Sequence, residues 1–524
     1  MKDKFNTFLI ITLFFFSCLL NSQSTSFSDL HIALDDPMLT YIYDFTDYML
    51  LKYPVFPFHR NIRPYTYRQL NSLLKSFQNQ NLSVIEKQMI DSLLSYLNYP
   101  TILGNYRTKT SEFRFNIEPG LHFTSRSYSK QPMASESVWQ VRPIVTGHIA
   151  KGLSFSTDLR FFLITGQNLS NTIRTEVEHE QVNEELFDTA GLSPSYFHCS
   201  LPWFDLLIGK QNLSWGPGRH GNLLLSPYSM PMEMVYLRGT YDKLAFQAFH
   251  AIAQSDFGNK VVSGHRIDLN PYTGIHFGLS EIVVMGASFF DLRLLNPVTI
   301  YTVSETAGKG YMENSETISQ GNLLISGDFS IKLGPKSNMY GEILIDDFQP
   351  RYRLKSPLNW ASKWGIILGF ETSNILGLEN TGLRTEYTFI NQYTFTHAKP
   401  VNVYTNLDRS LGHHIGPDAQ SLWIQFNQWW NSRLFSTISY ERLSKGEQKI
   451  DQPRAANAPV DENWQYLSGV EIIKDIFRLS SEWTKIGDCR FNLQYQIKWY
   501  RNADHVLGQK HLSREFRAIS LYRF

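Results

Sequence analysis

The sequence predicts an all-β transmembrane protein: an antiparallel outer-membrane β-barrel of about 18 strands with an N-terminal periplasmic α-helical bundle. Residues 488–500 (DCRFNLQYQIKWY) alternate between apolar and polar side chains, so the predicted strand has one apolar and one charged face. The chain starts with an export signal, and its last predicted strand, 517–524, ends on Phe524. A soluble sandwich strand would alternate in the same way. The export signal and the terminal aromatic favour membrane-crossing strands, which occur only in closed barrels.

Composition restricts the classes of protein to which the chain can belong. Among its 524 residues, 49 Lys and Arg balance 48 Asp and Glu. A nucleic-acid partner is therefore not expected, because it would need a concentrated basic face. After the first 20 residues no apolar run approaches the roughly 20 residues of a transmembrane helix. A membrane protein of this composition must be built from strands.

The chain divides into three predicted segments. Residues 1–24 combine Lys2 and Lys4 with an apolar run at 8–20, which is typical of a secretory signal peptide. Residues 25–110 are predicted to be a periplasmic helical segment, because apolar residues recur there at helical spacing in three stretches. This segment is either a separate linker domain or a cap on the periplasmic mouth. Residues 111–524 are predicted to form the outer-membrane β-barrel.

From residue 112 onward the apolar period is two, and short turns alternate with long polar segments. We expect the long segments to face outward; they lie near 126–137, 166–193, 214–232, 287–320, 391–418, 444–463 and 502–511. About nineteen candidate strands can be counted, but single-chain bacterial barrels have even numbers. One division, expected within 464–485, is therefore wrong, and eighteen is our estimate. Cys199 and Cys489 are predicted to be separate strand thiols, with a disulfide as the alternative.

Five motifs follow one another in the predicted barrel. They are IGKQNLSWGPGRHGNLLLSPYSMPMEMVYLR (208–238), HRIDLNPYTGIHFGLSEIVVMG (265–286), LLNPVTIY (294–301), YGEILIDDF (340–348) and LGHHIGPDA (411–419). In this order, after a helical segment, they resemble the capsule-assembly Wzi family. The resemblance implies an eighteen-stranded barrel with a periplasmic helical bundle, an outer surface that acts as a lectin for capsular or exported polysaccharide, and no catalysis. The acidic loop at 176–185 matches no family role, so the resemblance does not predict the identity of the glycan.

The candidate carbohydrate-binding residues are Trp215, Arg219, His220, His413 and His414. Sugars bind to flat aromatic faces and to planar polar groups that meet their hydroxyls. Trp215, Arg219 and His220 offer such groups in a Gly/Pro-rich loop that we expect at the outer mouth. The structural alternative is that Gly216 and Gly218 make a tight turn and that Trp215 anchors it to the barrel rim.

No catalytic residue, metal or cofactor is predicted. The histidines lack the spacing of a zinc site, and no serine sits in a G-x-S-x-G motif. The expected partners are capsular or exopolysaccharide and outer-membrane lipid, with the capsule export machinery as a further candidate. The main alternative function is a porin or solute channel, which would need an open lumen, and a weaker one is an outer-membrane hydrolase.

Several other residues are predicted to be structural. Glu281 and Glu342 are expected to pair with Arg266 or Arg384 inside the lumen. Four aromatic residues are expected to form interface belts, namely Trp429, Trp430, Trp499 and Tyr500.

Overall fold

The computed structural model describes most of the chain after residue 29. Described are residues 30–98, 103–108, 111–128, 133–150, 152–166, 188–189, 194–201, 203–286, 292–301, 321–346, 363–407, 409–453 and 466–524. The predicted signal peptide and the acidic loop at 176–185 lie outside these residues.

Three helices precede the barrel: α1 (Thr40–Lys52), α2 (Tyr67–Phe77) and α3 (Val84–Asn98). At the start of α2 the Thr66 side chain accepts a hydrogen bond from the Gln69 backbone, and the Gln69 side chain accepts one from the Thr66 backbone. Ser83 and Glu86 make the same reciprocal pair at the start of α3. The predicted helices are confirmed. None of the helices in the described part of the chain is long and apolar enough to cross a bilayer.

The strands, with a fourth short helix α4 (Leu292–Leu295), occupy most of the remaining chain. They are β1 (Ile62–Arg63), β2 (Gly104–Arg107), β3 (Glu112–Tyr128), β4 (Ala134–Ala150), β5 (Leu153–Asp158), β6 (Phe161–Gly166), β7 (Asp188–Thr189), β8 (Ser195–Ser200), β9 (Phe204–Gln211), β10 (Ser214–Trp215), β11 (Met232–Tyr241), β12 (Leu244–Ala253), β13 (Lys260–Tyr272), β14 (Ile275–Met285), β15 (Asn322–Lys332), β16 (Ser337–Asp346), β17 (Lys363–Ser373), β18 (Thr381–Ile390), β19 (Thr405–Asn406), β20 (Arg409–Ser410), β21 (Ala419–Trp429), β22 (Leu434–Lys445), β23 (Ile472–Lys485), β24 (Cys489–Arg501) and β25 (Lys510–Tyr522).

Apart from the separate β1–β10 and β19–β20 pairs, these strands close into one antiparallel barrel of 18 strands. Segments β5 and β6 both pair with β4 and together form one interrupted strand of the wall. Segment β8 pairs with β5 and segment β7 pairs with β6, so β7 and β8 together form the next interrupted strand. The short β2 continues β25 along the edge of β3, and the pairing of β25 with β3 closes the ring. The predicted even count is confirmed, and the described part of 464–485 holds a single strand, β23.

The alternation of 488–500 distributes its side chains as predicted. On β24, Leu493 is 54% exposed and Trp499 is 44% exposed on the outer surface, whereas Asn492 and Gln496 are 7% and 1% exposed on the inner one. Apolar side chains outside and polar side chains inside are the pattern of a barrel embedded in lipid. Cys199 on β8 and Cys489 on β24 remain thiols, which confirms the predicted absence of a bridge between them.

The two ends of the barrel differ. Tight connections such as 242–243, 273–274 and 486–488 lie at the end that also holds Phe524, which we call the short-turn end. The opposite end, which carries 212–231 and 391–418, is the long-loop end. The helices pack at the short-turn end: the Tyr48 hydroxyl donates to Asn374 (2.9 Å), and its ring centroid lies 4.6 Å from that of Trp429. The belt position expected for Trp429 is therefore wrong, because this ring is buried under α1.

Charged side chains cross-link the helical segment to the barrel wall. Arg142 on β4 donates to Asp158 at 2.6 Å and reaches Asp36, ahead of α1, at 3.0 Å. Arg266 on β13 pairs with two carboxylates of the wall, Asp268 (2.8 Å) and Asp328 (2.5 Å), and Asp268 also lies 2.6 Å from His59 of the helical segment.

The predicted arginine partners of Glu281 and Glu342 are wrong, because both carboxylates receive backbone N–H groups of inward-folded chain. Glu342 accepts from Leu223 (2.8 Å) and Leu224 (3.0 Å), and Glu281 accepts from Tyr301 (2.9 Å).

Two long segments that were expected to face outward fold into the lumen instead. We call 212–231 the first inward loop and 391–418 the second inward loop. Within the first, β10 pairs with β1 of the helical segment, with Trp215 opposite Ile62. The second contacts the first where the Tyr404 hydroxyl donates to the Leu224 carbonyl (2.7 Å). The physical reason is burial, since Leu223–Leu225 are apolar and at most 1% exposed.

Candidate functional site

Trp215 is a structural anchor of the first inward loop. Its ring is 1% exposed and packs against Phe249 of β12 at 5.2 Å between centroids. The indole N–H donates to the Gln247 side chain. The expectation that Trp215 stands at the outer mouth and stacks on a sugar is therefore wrong, because no face of the ring reaches solvent. The structural alternative stated from the sequence is the better description.

The Arg219 side chain is also buried, and its contacts are with groups inside the barrel. Its guanidinium binds Glu371 of β17 through two hydrogen bonds of 3.0 and 3.1 Å, and Nη1 lies 3.5 Å from Asp47 of α1. Burial opposes its charge, but these two carboxylates outweigh it and hold the pKa of Arg219 well above its ordinary value. Arg219 thus fastens the first inward loop to the wall and to α1, and the predicted outer position is wrong for this residue too.

His220, His413 and His414 come together where the two inward loops meet. The His220 ring stacks on Trp423 of β21 with centroids 4.7 Å apart and planes inclined by 6°. It lies edge-on to His414 at 4.7 Å, and His413 stacks on His414 at 4.5 Å. His413 is fully buried, with Nε2 4.0 Å from Glu386. Sequence reasoning selected all three histidines but gave no reason for their meeting.

The histidines differ in how far solvent reaches them. Although His414 is exposed to the cleft, desolvation by the atoms packed around its ring, followed by the charges of His413 and His220, holds its pKa below the ordinary value. Burial likewise lowers the pKa of His413, although the hydrogen bond and charge of Glu386 act in the opposite direction. Both rings are therefore neutral at neutral pH.

A cavity of about 510 Å³ opens beside the histidines, between the inward loops and strands β22 to β24. We call it the cationic cleft. Four cations line it, namely Arg409, Lys474, Arg478 and Lys498. The rings that line it are Tyr228, His220, His414 and Tyr500. The prediction of a lipid-interface position for Tyr500 is therefore wrong, whereas Trp430 and Trp499 are exposed as expected.

The charge of the cationic cleft is only partly compensated. Glu441, which lines it, accepts from Ser421 (2.8 Å) and lies 3.2 Å from His220 Nε2. The Lys474 ammonium sits 5.7 Å from the centroid of the Tyr500 ring. Neither Lys474 nor Lys498 forms a salt bridge with a carboxylate among the residues that the structure describes. Lys474, Arg478 and Lys498, against the one carboxylate of Glu441 in the lining, favour an anionic ligand.

The cations of the cleft were not predicted from the sequence. A usable signal existed, because the alternation in 488–500 places Lys498 on the charged face that becomes the lumen. Alternation shows which side chains face the lumen, but it does not show which of them lie next to an inward-folded loop. It could not reveal that Lys474 and Arg478 lie beside Tyr228 of the first inward loop.

The cluster also contains a set of residues that could ligate a metal ion. One donor atom from each of His220, His414 and Glu441 lies within 4.8 Å of the other two. The sequence argument against metal rested on spacing along the chain. These three ligands come from both inward loops and from β22, so they converge only in the folded protein.

Residues 148–513 match the model of the family described as capsule assembly protein Wzi. The chain belongs to this family. The resemblance found in the five sequence motifs is thereby confirmed, and so is the location in the outer membrane. No curated protein matches the chain in sequence.

Two solved structures align with this chain at low sequence identity. Wzi of Escherichia coli, described as a carbohydrate-binding β-barrel involved in group 1 capsule assembly, aligns with a TM-score of 0.57 at 14% identity, covering 91% of this chain and 97% of its own. OprD of Pseudomonas aeruginosa aligns with a TM-score of 0.44 at 10% identity, covering 79% and 93%. The first likeness shows the fold, and the second is too weak to support a channel.

Proposed function

We propose that this chain binds exported capsular polysaccharide in the cationic cleft and attaches it to the cell surface. The observation that carries the proposal is a cleft lined by four cations and one carboxylate beside aromatic rings, at the long-loop end of a filled barrel, in which Lys474 and Lys498 form no salt bridge with the described residues. The E. coli protein is described as carbohydrate-binding, and membership of the capsule assembly family points in the same direction. The ligand class we infer is an acidic polysaccharide that carries uronate or other carboxylate groups.

The cleft supplies the two kinds of contact that acidic sugars use. Tyr228 and Tyr500 offer ring faces to the C–H surfaces of the sugar rings. Lys474, Arg478 and Lys498 can meet carboxylates with charge-assisted hydrogen bonds. Of the residues first selected from the sequence, His220 and His414 line the cleft and stay candidates for glycan contact, whereas the buried His413 supports them.

Binding is favoured over solute transport because the lumen is occupied. The helical segment enters from the short-turn end, the inward loops enter from the long-loop end, and the two meet at the β1–β10 pair. Binding is also favoured over catalysis. Glycosidases generally use two carboxyl groups, whereas Glu441 is the one carboxylate among the described residues that line the cleft.

The proposal also includes which end of the barrel faces the periplasm and which partners contact the protein. Residues 1–24 would be a signal peptide, 25–110 a periplasmic helical segment, and 111–524 the barrel, so that the short-turn end faces the periplasm. The contacts of α1 with the turn at Asn374, and of Ser83 just before α3 with Asn380, support this arrangement. Lipid would contact the outer apolar side chains, and the capsule export machinery would meet the periplasmic end.

The test measures binding of an acidic capsular polysaccharide and its carboxyl-reduced form to purified barrel by calorimetry. Lys474→Gln and Lys498→Gln should each weaken binding of the acidic form about threefold to tenfold, since each removes an ionic contact of about 0.7–1.4 kcal/mol. Lys510→Gln, an exposed lysine at the same end, is the matched control. Raising the salt concentration should weaken binding by wild type more than by the double variant.

Two results would contradict the proposal. One is equal affinity of wild type and the Lys474→Gln/Lys498→Gln double variant for the acidic glycan. The other is steady, large single-channel conductance of wild-type protein in planar bilayers, which would favour the porin alternative. Tyr228→Ala adds a check on ring stacking, with an expected loss of about 1–3 kcal/mol, judged from bases stacked on aromatic side chains.

A further inference from the structure

We propose that His220, His414 and Glu441 form a binding site for a divalent transition-metal ion, with Zn²⁺ as the reference ion, which fastens both inward loops to the barrel wall. His220 belongs to the first inward loop, His414 to the second, and Glu441 to β22 of the wall. One ion bound to all three would join three segments that are distant in sequence. The site is independent of the glycan proposal, because none of its ligands needs a sugar to be present.

The geometry brings three donor atoms to one point. One from each residue lies within 4.8 Å of the others, and His220 Nε2 is 3.2 Å from the Glu441 carboxylate. Around a tetrahedral zinc ion with bonds of about 2.0–2.1 Å, neighbouring ligand atoms lie about 3.3 Å apart. The pair of His220 and Glu441 already has this spacing. His414 is exposed to the cleft, so rotation of its side chain can close the remaining gap.

Neighbouring groups orient His220 and Glu441 and support the ring of His414. The His220 ring is fixed by its stack on Trp423, and Glu441 is oriented by the Ser421 hydroxyl at 2.8 Å. His414 stacks on the buried His413. Such outer contacts orient the ligands of metal sites and contribute to their affinity.

A buried polar atom gives a second, independent reason to expect a ligand. His220 is 8% exposed, and its Nε2 makes no hydrogen bond of normal geometry with any described residue, although the Glu441 carboxylate lies 3.2 Å away. A buried imidazole nitrogen whose nearest partner is out of hydrogen-bond geometry is incompletely satisfied, and a bond to a metal ion would satisfy it.

The donor set determines which metals fit. Two imidazole nitrogens and one carboxylate oxygen suit Zn²⁺, Co²⁺, Ni²⁺ or Cu²⁺, whereas Ca²⁺ and Mg²⁺ prefer all-oxygen sites. A fourth coordination position would face the cleft and take water. The positive charges of Lys474, Arg478 and Lys498 repel a dication in the cleft. The negative charge of Glu386, near His413, partly offsets this repulsion. We therefore expect a reversible site rather than a permanently occupied one.

The experiment uses the untagged full-length barrel in detergent, stripped of metal with a chelator. Zn²⁺ is titrated by calorimetry, and Co²⁺ is titrated while its visible d–d absorption is recorded. Wild type should bind one ion, with the Co²⁺ spectrum of a four-coordinate site. His414→Ala and Glu441→Gln should each weaken binding at least tenfold, and His397→Ala, in the second inward loop but outside the cluster, should bind like wild type.

Fold integrity is checked by heat-modifiable gel mobility, so that a loss of binding is scored only for well-folded variants. His414→Ala is the decisive variant, because its side chain is the exposed member of the three. If stripped wild type binds neither Zn²⁺ nor Co²⁺, or if His414→Ala and Glu441→Gln bind as tightly as wild type, the proposal is wrong. The short contact of His220 with Glu441 is then an ion pair alone.

Discussion

Replacing Asp47 by alanine is expected to loosen α1 from the lumen. The carboxylate is buried in α1 and binds Arg63 with two hydrogen bonds of 2.8 Å. Arg219 of the first inward loop, Arg60 and Arg384 of β18 approach it at 3.5, 3.6 and 3.7 Å. Desolvation raises the pKa of Asp47, but these arginines, led by Arg219, outweigh it and keep the group ionised. Its removal leaves the arginines facing one another.

The magnitude follows from the burial of the group. Removing one partner of a buried ion pair costs about 3–5 kcal/mol. Three of the four arginine contacts of Asp47 are 3.5 Å or longer, so we expect the lower part of that range, about 3 kcal/mol. Since each 1.4 kcal/mol is a factor of ten, opening of α1 should become about 100-fold more frequent.

Amide hydrogen exchange of α1 in the refolded barrel measures this opening directly. Asp44→Ala is the matched control. Asp44 lies on the same helix and pairs with Arg384, but its side chain is 37% exposed, so we expect a loss of at most about 1 kcal/mol. Planar-bilayer recordings provide the second readout, in which brief openings should appear for Asp47→Ala only. Equal exchange rates in the two variants would refute this account of how the helix is held.

Three further perturbations address other parts of the interior. Trp215→Ala should lower barrel stability by about 3–5 kcal/mol, seen as a lower midpoint of heat-modifiable mobility, whereas the exposed Trp430→Ala should have little effect. Gly412→Ala should displace the second inward loop and raise conductance, because a Cβ there would lie 2.1 Å from the Leu223 carbonyl oxygen; Gly334→Ala, with open space around it, is the control. Arg142 and Arg523 outweigh burial and hold the pKa of Asp36 below its ordinary value, so this group stabilises the helical segment above about pH 4 and the stabilisation is lost as the pH falls further. Proteolysis of that segment should therefore increase in acid, and unchanged protection down to pH 2 would contradict this.

The barrel was predictable because its determinants are local. The alternation along β24 reports which side chains meet lipid, and the same alternation repeats from strand to strand. The capping residues Thr66 and Ser83 likewise mark helix starts within a few positions of the chain. Each of these signals needs only the geometry of one element.

The interior was not predictable in the same way, because its partners are far apart in sequence. The residues around Trp215 and Arg219 have the composition of an exposed sugar-binding loop. Their burial depends on Gln247 and Glu371, which are distant in sequence and contact them only in the folded barrel. The hydrophobic run at 223–225 was a usable sign that the loop needs a buried surface.

The pairing of β1 with β10 has a consequence for how the barrel is assembled. Without the N-terminal segment, Ser214 and Trp215 would face an empty lumen, and Arg142 and Asp268 would lose partners supplied by residues before the barrel. A wall that closed first would leave these groups without their protein partners. The N-terminal segment is made before any wall strand and already carries the complementary groups. Its order in the chain therefore lets it act as an internal template around which the last strand, β25, meets β3.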